Sequence, residues 1–319
     1  MIVKPRDIPT HILQTEALYR RIPSHHKNRA IIKKQARNLR TGFVGEESLD
    51  YIIRFLPEDT FHILHNLRIK DANGYFQIDT LIVSANFALI VEVKNIYGTI
   101  TFDGMGQSIR TKDDGTEEGF DHPIVQVNLQ QKRFKSWLQR HHFPPFPLEK
   151  VIIYSNTATI LRNITNDKEI GKMIIHKERL PAKLVEYLEA YPTTTLNNNE
   201  IDQLCTALIG AHRPKRFRIM DKYEVSQYEL LRGVICPECS TLPMLRIRGK
   251  WRCGTCHVES DIAHRTAFED YRLLIGNKIK NKQARDFLNI DSTHVMKRLL
   301  MKERFPYTGS TSARIYELS

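Results

Sequence analysis

The sequence contains few cysteines, no long apolar run and no internal repeat. Only 5 of its 319 residues are cysteine, and 41% are hydrophobic. No apolar run approaches the roughly 20 residues of a membrane-spanning helix. The N-terminus carries Lys4, Arg6 and Asp7, where a secretory signal would have an apolar segment. These absences argue against membrane-spanning, repeat and disulfide-stapled secreted proteins, so we expect a soluble cytoplasmic protein of two or three domains.

Acidic residues are also scarce overall, because 48 Lys and Arg stand against 36 Asp and Glu, which leaves a net charge of +12. The excess is uneven along the chain. Residues 1–41 have 10 basic and 2 acidic side chains, residues 42–210 have 17 and 22, and residues 211–319 have 21 and 12. Basic flanks suit a nucleic-acid backbone, while an acidic centre suits a metal ion. A merely soluble enzyme of high pI remains an alternative.

The segment from Gln77 to Asn95 predicts two adjacent strands. Side chains alternate along a strand, so Glu92 and Lys94 face the same side, beside Asp79 of the first strand. Such charges are costly to bury unless a cation or a reaction needs them. The chemistry that fits is phosphodiester cleavage, with a hard divalent ion on Asp79 and Glu92 and with Lys94 orienting the attacking water. The alternative is an exposed hairpin with a surface ion pair.

A third acid is predicted upstream. Leu49, Ile52, Ile53 and Leu56 recur at helical spacing, and Glu46 continues this buried stripe. Two glycines, at positions 42 and 45, precede it. We therefore expect Glu46 to lie near the metal, although an acid at the start of a helix can instead simply stabilise the helix dipole.

Four short motifs in this order resemble the nuclease-related domain (NERD) of the PD-(D/E)xK nuclease superfamily. They are G-x-x-G-E at 42–46, Q-I-D at 77–79, E-V-K-N at 92–95 and H-P-I-x-Q at 122–126. The resemblance extends over roughly residues 42–212, with residues 151–156 similar to the family's late core strand. It implies an α/β fold in which a mixed sheet is flanked by helices. It also implies a catalytic set: Glu46, Asp79, Glu92, Lys94 and Gln126. One departure is the segment 103–121, which indicates a looser hairpin than family members often have.

Four of the cysteines form a second motif. The pairs Cys236/Cys239 and Cys253/Cys256 are two C-x2-C knuckles with Gly or Pro in their turns, which is typical of a zinc ribbon with a structural Zn²⁺. Disulfides or a redox C-x-x-C are the alternatives, and a cytosolic context favours zinc. Between the knuckles, a hairpin carries Arg248, Lys250 and Trp251. These side chains suit a nucleic-acid backbone and base stacking, but Trp251 could equally pack over the zinc site.

The last sixty residues predict three short helices with a β-wing after them, which is the order of a winged helix. Asn289 takes the tight-turn position between the second and third helices. The predicted nucleic-acid contacts are Arg285, Thr293, Lys297 and Arg298, with His294 beside them. Protein-binding modules can share this helix pattern.

The sequence therefore predicts a basic arm (1–41), a nuclease-like domain (42–212), a linker (213–232), a zinc ribbon (233–261) and a winged-helix region (262–319). The predicted function is an Mg²⁺- or Mn²⁺-dependent nuclease that acts on DNA, with RNA as an alternative substrate. Pairing into a homodimer is compatible with this function. The competing hypothesis is a non-catalytic DNA-binding regulator or docking protein that uses a nuclease-like fold.

Overall fold

The structure, a computed structural model, describes residues 1–104, 106–165, 167–215 and 217–318, with the side chain of Ser312 left out. The chain divides into two compact units. The first comprises Met1–Ile8 and Leu39–Lys215, and the second comprises Pro9–Asn38 and Arg216–Ser319. The predicted N-terminal arm is therefore not a separate body, since its first eight residues belong to one unit and most of the rest to the other. In these ranges, no helix has the length and apolarity that a membrane span requires.

The elements are numbered in chain order. The helices are α1 Thr10–Arg21, α2 Arg29–Ile53, α3 Pro123–Arg140, α4 Lys168–Met173, α5 Leu180–Ala190, α6 Asn198–Ala211, α7 Ile219–Lys222, α8 His264–Leu274, α9 Asn281–Leu288 and α10 Thr293–Lys302. The strands are β1 Ile2–Lys4, β2 His62–Asp71, β3 Gly74–Val83, β4 Ala88–Lys94, β5 Thr99–Phe102, β6 Gln107–Thr111, β7 Glu117–Asp121, β8 Leu148–Tyr154, β9 Ile160–Asn163, β10 Ile174–His176, β11 Leu245–Ile247, β12 Lys250–Arg252, β13 Glu259–Ser260, β14 Lys278–Lys280, β15 Tyr307–Thr308 and β16 Ile315–Glu317.

The first unit is built on a mixed sheet with the strand order β1-β2-β3-β4-β8-β10. Strands β2, β3 and β4 are antiparallel neighbours, while β4, β8 and β10 run parallel to one another. Residues 88–93 of β4 are all buried, as expected for a central strand with both faces covered. The predicted strand pair and the predicted late strand are both in this sheet.

Helices cover both faces of this sheet. On one face, Leu49 of α2 and Leu184 of α5 belong to a buried cluster with alternate residues of β4. On the other face, Phe134 of α3 and Leu204 of α6 pack in a second cluster with Ala88 and Ile90 of that strand. The predicted fold class, a mixed sheet flanked by helices, is confirmed.

A smaller sheet in the same unit has the order β7-β6-β5-β9. The segment that we expected to be a loose hairpin forms β6 and β7, which pair antiparallel from Gln107/Asp121 to Thr111/Glu117. The part of the prediction that falls on Met105 lies outside the described residues.

The second unit contains the cysteine knuckles and the C-terminal helices. Strands β11, β12 and β13 form an antiparallel sheet, and β14, β16 and β15 form another. Helices α8, α9 and α10 occur where the periodicity predicts them, and Asn289 ends α9 with the left-handed backbone expected of it (φ 57°, ψ 57°). Strand β14, between α8 and α9, was not predicted. It is only three residues long, and Ile279 is its one buried side chain.

Candidate active site, cysteine cluster and basic surfaces

The predicted acidic site lies where β3 and β4 separate. The two strands pair from Val83/Ala88 as far as Thr80/Val91. Beyond that point β3 pairs only with β2, and β4 pairs only with β8. The buried Asp79 carboxylate bridges the gap, because its Oδ2 accepts a hydrogen bond from the Val93 N–H at 3.1 Å. The alternation of β4 then brings Glu92 and Lys94 to this side, as the sequence predicts.

Three side chains hold the buried Glu92 carboxylate. Lys94 Nζ and Gln126 Nε2 both donate to its Oε1, at 2.7 and 2.6 Å, and Gln130 Nε2 donates to its Oε2 at 2.8 Å. Lys94 Nζ also donates to Gln126 Oε1 at 2.9 Å. The structure thus brings the predicted Gln126 to the acids. Gln130 was not predicted, although it follows Gln126 by one turn of α3 and therefore shares its helix face.

Helix α2 brings Glu46 to the same region through a close contact at Gly45. A Cβ atom at Gly45 would lie 2.3 Å from Asn95 Cβ and 2.8 Å from Ser155 Oγ. The Asn95 side chain is itself fixed, because its Nδ2 donates to the Thr41 carbonyl at 2.7 Å. Only glycine allows the helix backbone to approach the ends of β4 and β8 this closely.

A buried arginine that was not predicted joins Glu46 to the sheet. Arg6, whose side chain is 2% exposed, donates to Glu46 Oε2 at 2.9 Å and to Asp50 Oδ1 at 3.1 Å. Its Nη2 also donates to His65 Nδ1 at 2.8 Å and to Thr80 Oγ1 at 2.9 Å. Arg6 follows β1, far from the motifs in sequence, so no spacing rule could connect it to them.

Burial and crowding raise the pKa of two acids. Burial, assisted by the charges of Glu92 and Glu46, raises the pKa of Asp79 well above its usual range. Burial, opposed by Arg6, raises the pKa of Glu46 to about 7. Burial and the nearby Arg6 charge lower the pKa of His65 to about 3, so its imidazole is neutral and its Nδ1 accepts from Arg6. The acids of the site outnumber its positively charged side chains, and the atoms that could bind a metal are carboxylate oxygens. This combination fits a hard divalent cation.

The four predicted cysteines meet in the second unit. The Sγ atoms of Cys236 and Cys256 lie 3.6 Å apart, and those of Cys239 and Cys253 lie 3.5 Å apart. A tetrahedron with Zn–S bonds of about 2.3 Å has S–S edges of about 3.8 Å, so the cluster is compatible with a zinc site. Within the described ranges, no other three or more His, Cys, Asp or Glu side chains have donor atoms all within 4.8 Å of one another. The acids of the first unit are thus spread more widely than a closed metal cage.

Trp251 is buried, at 1% exposed, so the structure does not support its predicted role in base stacking. Its Nε1 donates to His264 Nδ1 at 3.1 Å, and the Arg246 guanidinium lies 4.9 Å from the centre of its ring. The alternative interpretation is the one observed: Trp251 packs in the core with Cys236 and Cys253. Burial of this large aromatic side chain beside the cysteines stabilises the small unit more than its exposure would.

The other predicted nucleic-acid contacts differ in exposure. Arg248 and Lys250 are exposed on the β11–β12 hairpin, and Lys250 pairs with Glu259 at 3.5 Å. Arg285 is half-buried and binds the Asp291 carbonyl at 2.9 Å, so it braces the turn between α9 and α10. The predicted residues Thr293, His294, Lys297 and Arg298 are all exposed on α10.

Comparison with known proteins agrees with the resemblance. Residues 41–155 match the family model of the nuclease-related domain (NERD), which spans all five predicted catalytic residues. The chain therefore contains a nuclease-related domain, and its sheet flanked by helices is a PD-(D/E)xK-like fold. No curated protein and no solved structure matches the chain.

Proposed function

We propose that the protein is a divalent-metal-dependent nuclease that hydrolyses phosphodiester bonds in DNA. The observation that carries this proposal is the convergence of Glu46, Asp79, Glu92 and Lys94 where two strands of a nuclease-related domain separate. An isolated acid pair on a surface hairpin would not be buried, and side chains from a third element would not hydrogen-bond to it. The burial therefore supports a reactive site over the surface ion-pair alternative.

Asp79, Glu92 and Glu46 would hold Mg²⁺ or Mn²⁺ through carboxylate oxygens. The bound ion would supply positive charge that stabilises the negative charge developing on the phosphate. Lys94 provides an ammonium at the edge of the site that can orient a water molecule and contact a phosphate oxygen. Gln126 and Gln130 act on Glu92, because their amides hold both of its oxygens in one orientation.

The second unit would bind the substrate. Its order of elements, α8-β14-α9-α10-β15-β16, supports a winged helix, in which the helix in the α10 position would enter the major groove. The exposed Thr293, Lys297 and Arg298 support contacts of this kind. Arg248 and Lys250 would add phosphate contacts from the cysteine-bearing part, which Zn²⁺ would stabilise. Four thiols placed for a metal suit a reducing compartment, so we also propose a cytoplasmic location.

The test is cleavage of labelled single-stranded, duplex and forked DNA, and of RNA of the same sequence, with Mg²⁺, Mn²⁺ or EDTA. Asp79→Asn removes a proposed ligand with little change of volume. Glu47→Gln is the matched control, because Glu47 is exposed one residue away from Glu46 on the same helix. We expect metal-dependent cleavage that Asp79→Asn abolishes and Glu47→Gln retains. Equal binding without cleavage by all three proteins would favour the regulatory alternative, and preferential cleavage of RNA would change the substrate.

A further inference from the structure

The environment of Arg6 resembles the lining of a cation site. Four groups surround the guanidinium: the carboxylates of Glu46 and Asp50, the neutral Nδ1 of His65 and the hydroxyl of Thr80, at 2.9, 3.1, 2.8 and 2.9 Å. Carboxylate, imidazole and hydroxyl are all groups that bind divalent cations. They come from three elements, α2, β2 and β3, and the arginine between them is 2% exposed.

We infer that Arg6 occupies the position of a second cation, so that the proposed active site takes one divalent ion rather than two. This inference rests on the proposed nuclease function but adds a residue and an ion count to it. Arg6 is a positioning residue, since it acts through Glu46. It holds the Oε2 atom of Glu46 at 2.9 Å and, being part of the chain, it cannot exchange with ions in the solvent.

The charges of the site agree with one ion. When ionised, Glu46, Asp50, Asp79 and Glu92 carry four negative charges, while the covalently held cations Arg6 and Lys94 carry two positive ones. The two negative charges that remain would be neutralised by one divalent ion. A second free ion would also have to displace a guanidinium with four polar partners, and a buried arginine cannot lose its proton.

The test is a count of Mn²⁺ by electron paramagnetic resonance on the zinc-loaded full chain, with free Mn²⁺ titrated to millimolar concentration. We expect one Mn²⁺ per chain in the wild type and in Arg6→Lys, which keeps the charge. In Arg6→Gln, we expect a second, weaker Mn²⁺ among Glu46, Asp50 and His65. Arg133→Gln is the matched control: Arg133 forms a comparable part-buried pair with Asp71 at 2.5 Å, but does not contact the site acids, and this variant should bind one ion.

The outcomes separate the two proposals. Two ions in the wild type would overturn the inference while leaving the nuclease proposal intact. One ion in a folded Arg6→Gln protein would also overturn it, because Arg6 would then not be excluding a cation. No ion in the wild type, or an ion that Asp79→Asn still binds, would count against the proposed active site itself. The wild-type count does not depend on whether any variant folds.

Discussion

Replacing Gly45 with alanine should separate helix α2 from the strands that carry the active site. The added Cβ would lie 2.3 Å from Asn95 Cβ, whereas two carbon atoms in contact are about 3.5–4.0 Å apart. The helix must therefore move by more than about 1 Å, because the obstructing atom is next to the Asn95 backbone and cannot rotate away. Overpacking of this kind costs about 1–3 kcal/mol or more.

Gly42 provides the control. It lies three residues earlier in the same helix, and a Cβ there would meet nothing within 4 Å. Alanine is favoured over glycine within a helix by about 1 kcal/mol, so Gly42→Ala should be neutral or stabilising. For a unit of this size, each kcal/mol shifts the melting temperature by about 2–4 °C.

Calorimetric melting of both variants in EDTA tests the reasoning. We expect the transition of the first unit to fall by several degrees in Gly45→Ala and to stay or rise in Gly42→Ala. Mn²⁺ binding should weaken only in Gly45→Ala, since the shift displaces Glu46. If the two variants melt together, the close approach of α2 to β4 and β8 does not exist.

Four further results are expected. Lys94→Ala should leave folding and DNA binding intact but abolish cleavage in the gel assay, because the role we propose for Lys94 is at the reacting phosphate. Cys239→Ser should lower zinc content, measured by mass spectrometry, to well below one per chain and destabilise the second unit. Asp270→Asn should destabilise that unit by about 3–5 kcal/mol in thermal unfolding, because the fully buried Arg21 loses the carboxylate charge that is paired with it at 2.7 Å. Without metal, the contribution of Glu46 to stability should fall as pH rises from about 4.5 to 7, because folded Glu46 keeps its proton up to about pH 7 while the unfolded side chain loses its own near its ordinary pKa of 4.5; the measurement is the pH dependence of the difference in unfolding free energy between the wild type and Glu46→Gln.

Each result has a matched comparison. Lys70 is exposed on β2, so we expect Lys70→Ala to keep cleavage. Glu269→Gln breaks a half-buried pair with Arg272 and should cost less than about 1 kcal/mol, so an equal loss in Asp270→Asn would contradict the buried pair. Glu47→Gln should keep the wild-type pH dependence that Glu46→Gln changes. One zinc per chain retained in Cys239→Ser would rule out the four-cysteine site.

Much of the candidate site follows from local patterns. A strand has a period of two, so Glu92 and Lys94 had to share a face, and apolar neighbours had to bury it. The spacing of the cysteines likewise predicts their cluster, since each C-x2-C turn brings its two sulfurs together. The three C-terminal helices follow from apolar spacing and from the tolerance of asparagine for a left-handed turn. These features depend on residues close together in sequence, whose relative positions follow from local backbone geometry.

Contacts between residues far apart in sequence were decided only by the tertiary structure. Arg6 reaches Glu46 and Asp50 because β1 pairs with β2, and no periodicity in the first eight residues indicates that contact. The basic arm was predicted as one piece, yet its parts belong to different units, because a run of charge does not specify its packing partner. Trp251 is on a basic hairpin, but the core beside Cys236 and Cys253 buries it. By itself the sequence determined the acids, the lysine and the cysteines of the two sites; only the fold added Arg6 and Gln130 and determined which side chains hold the acids in place.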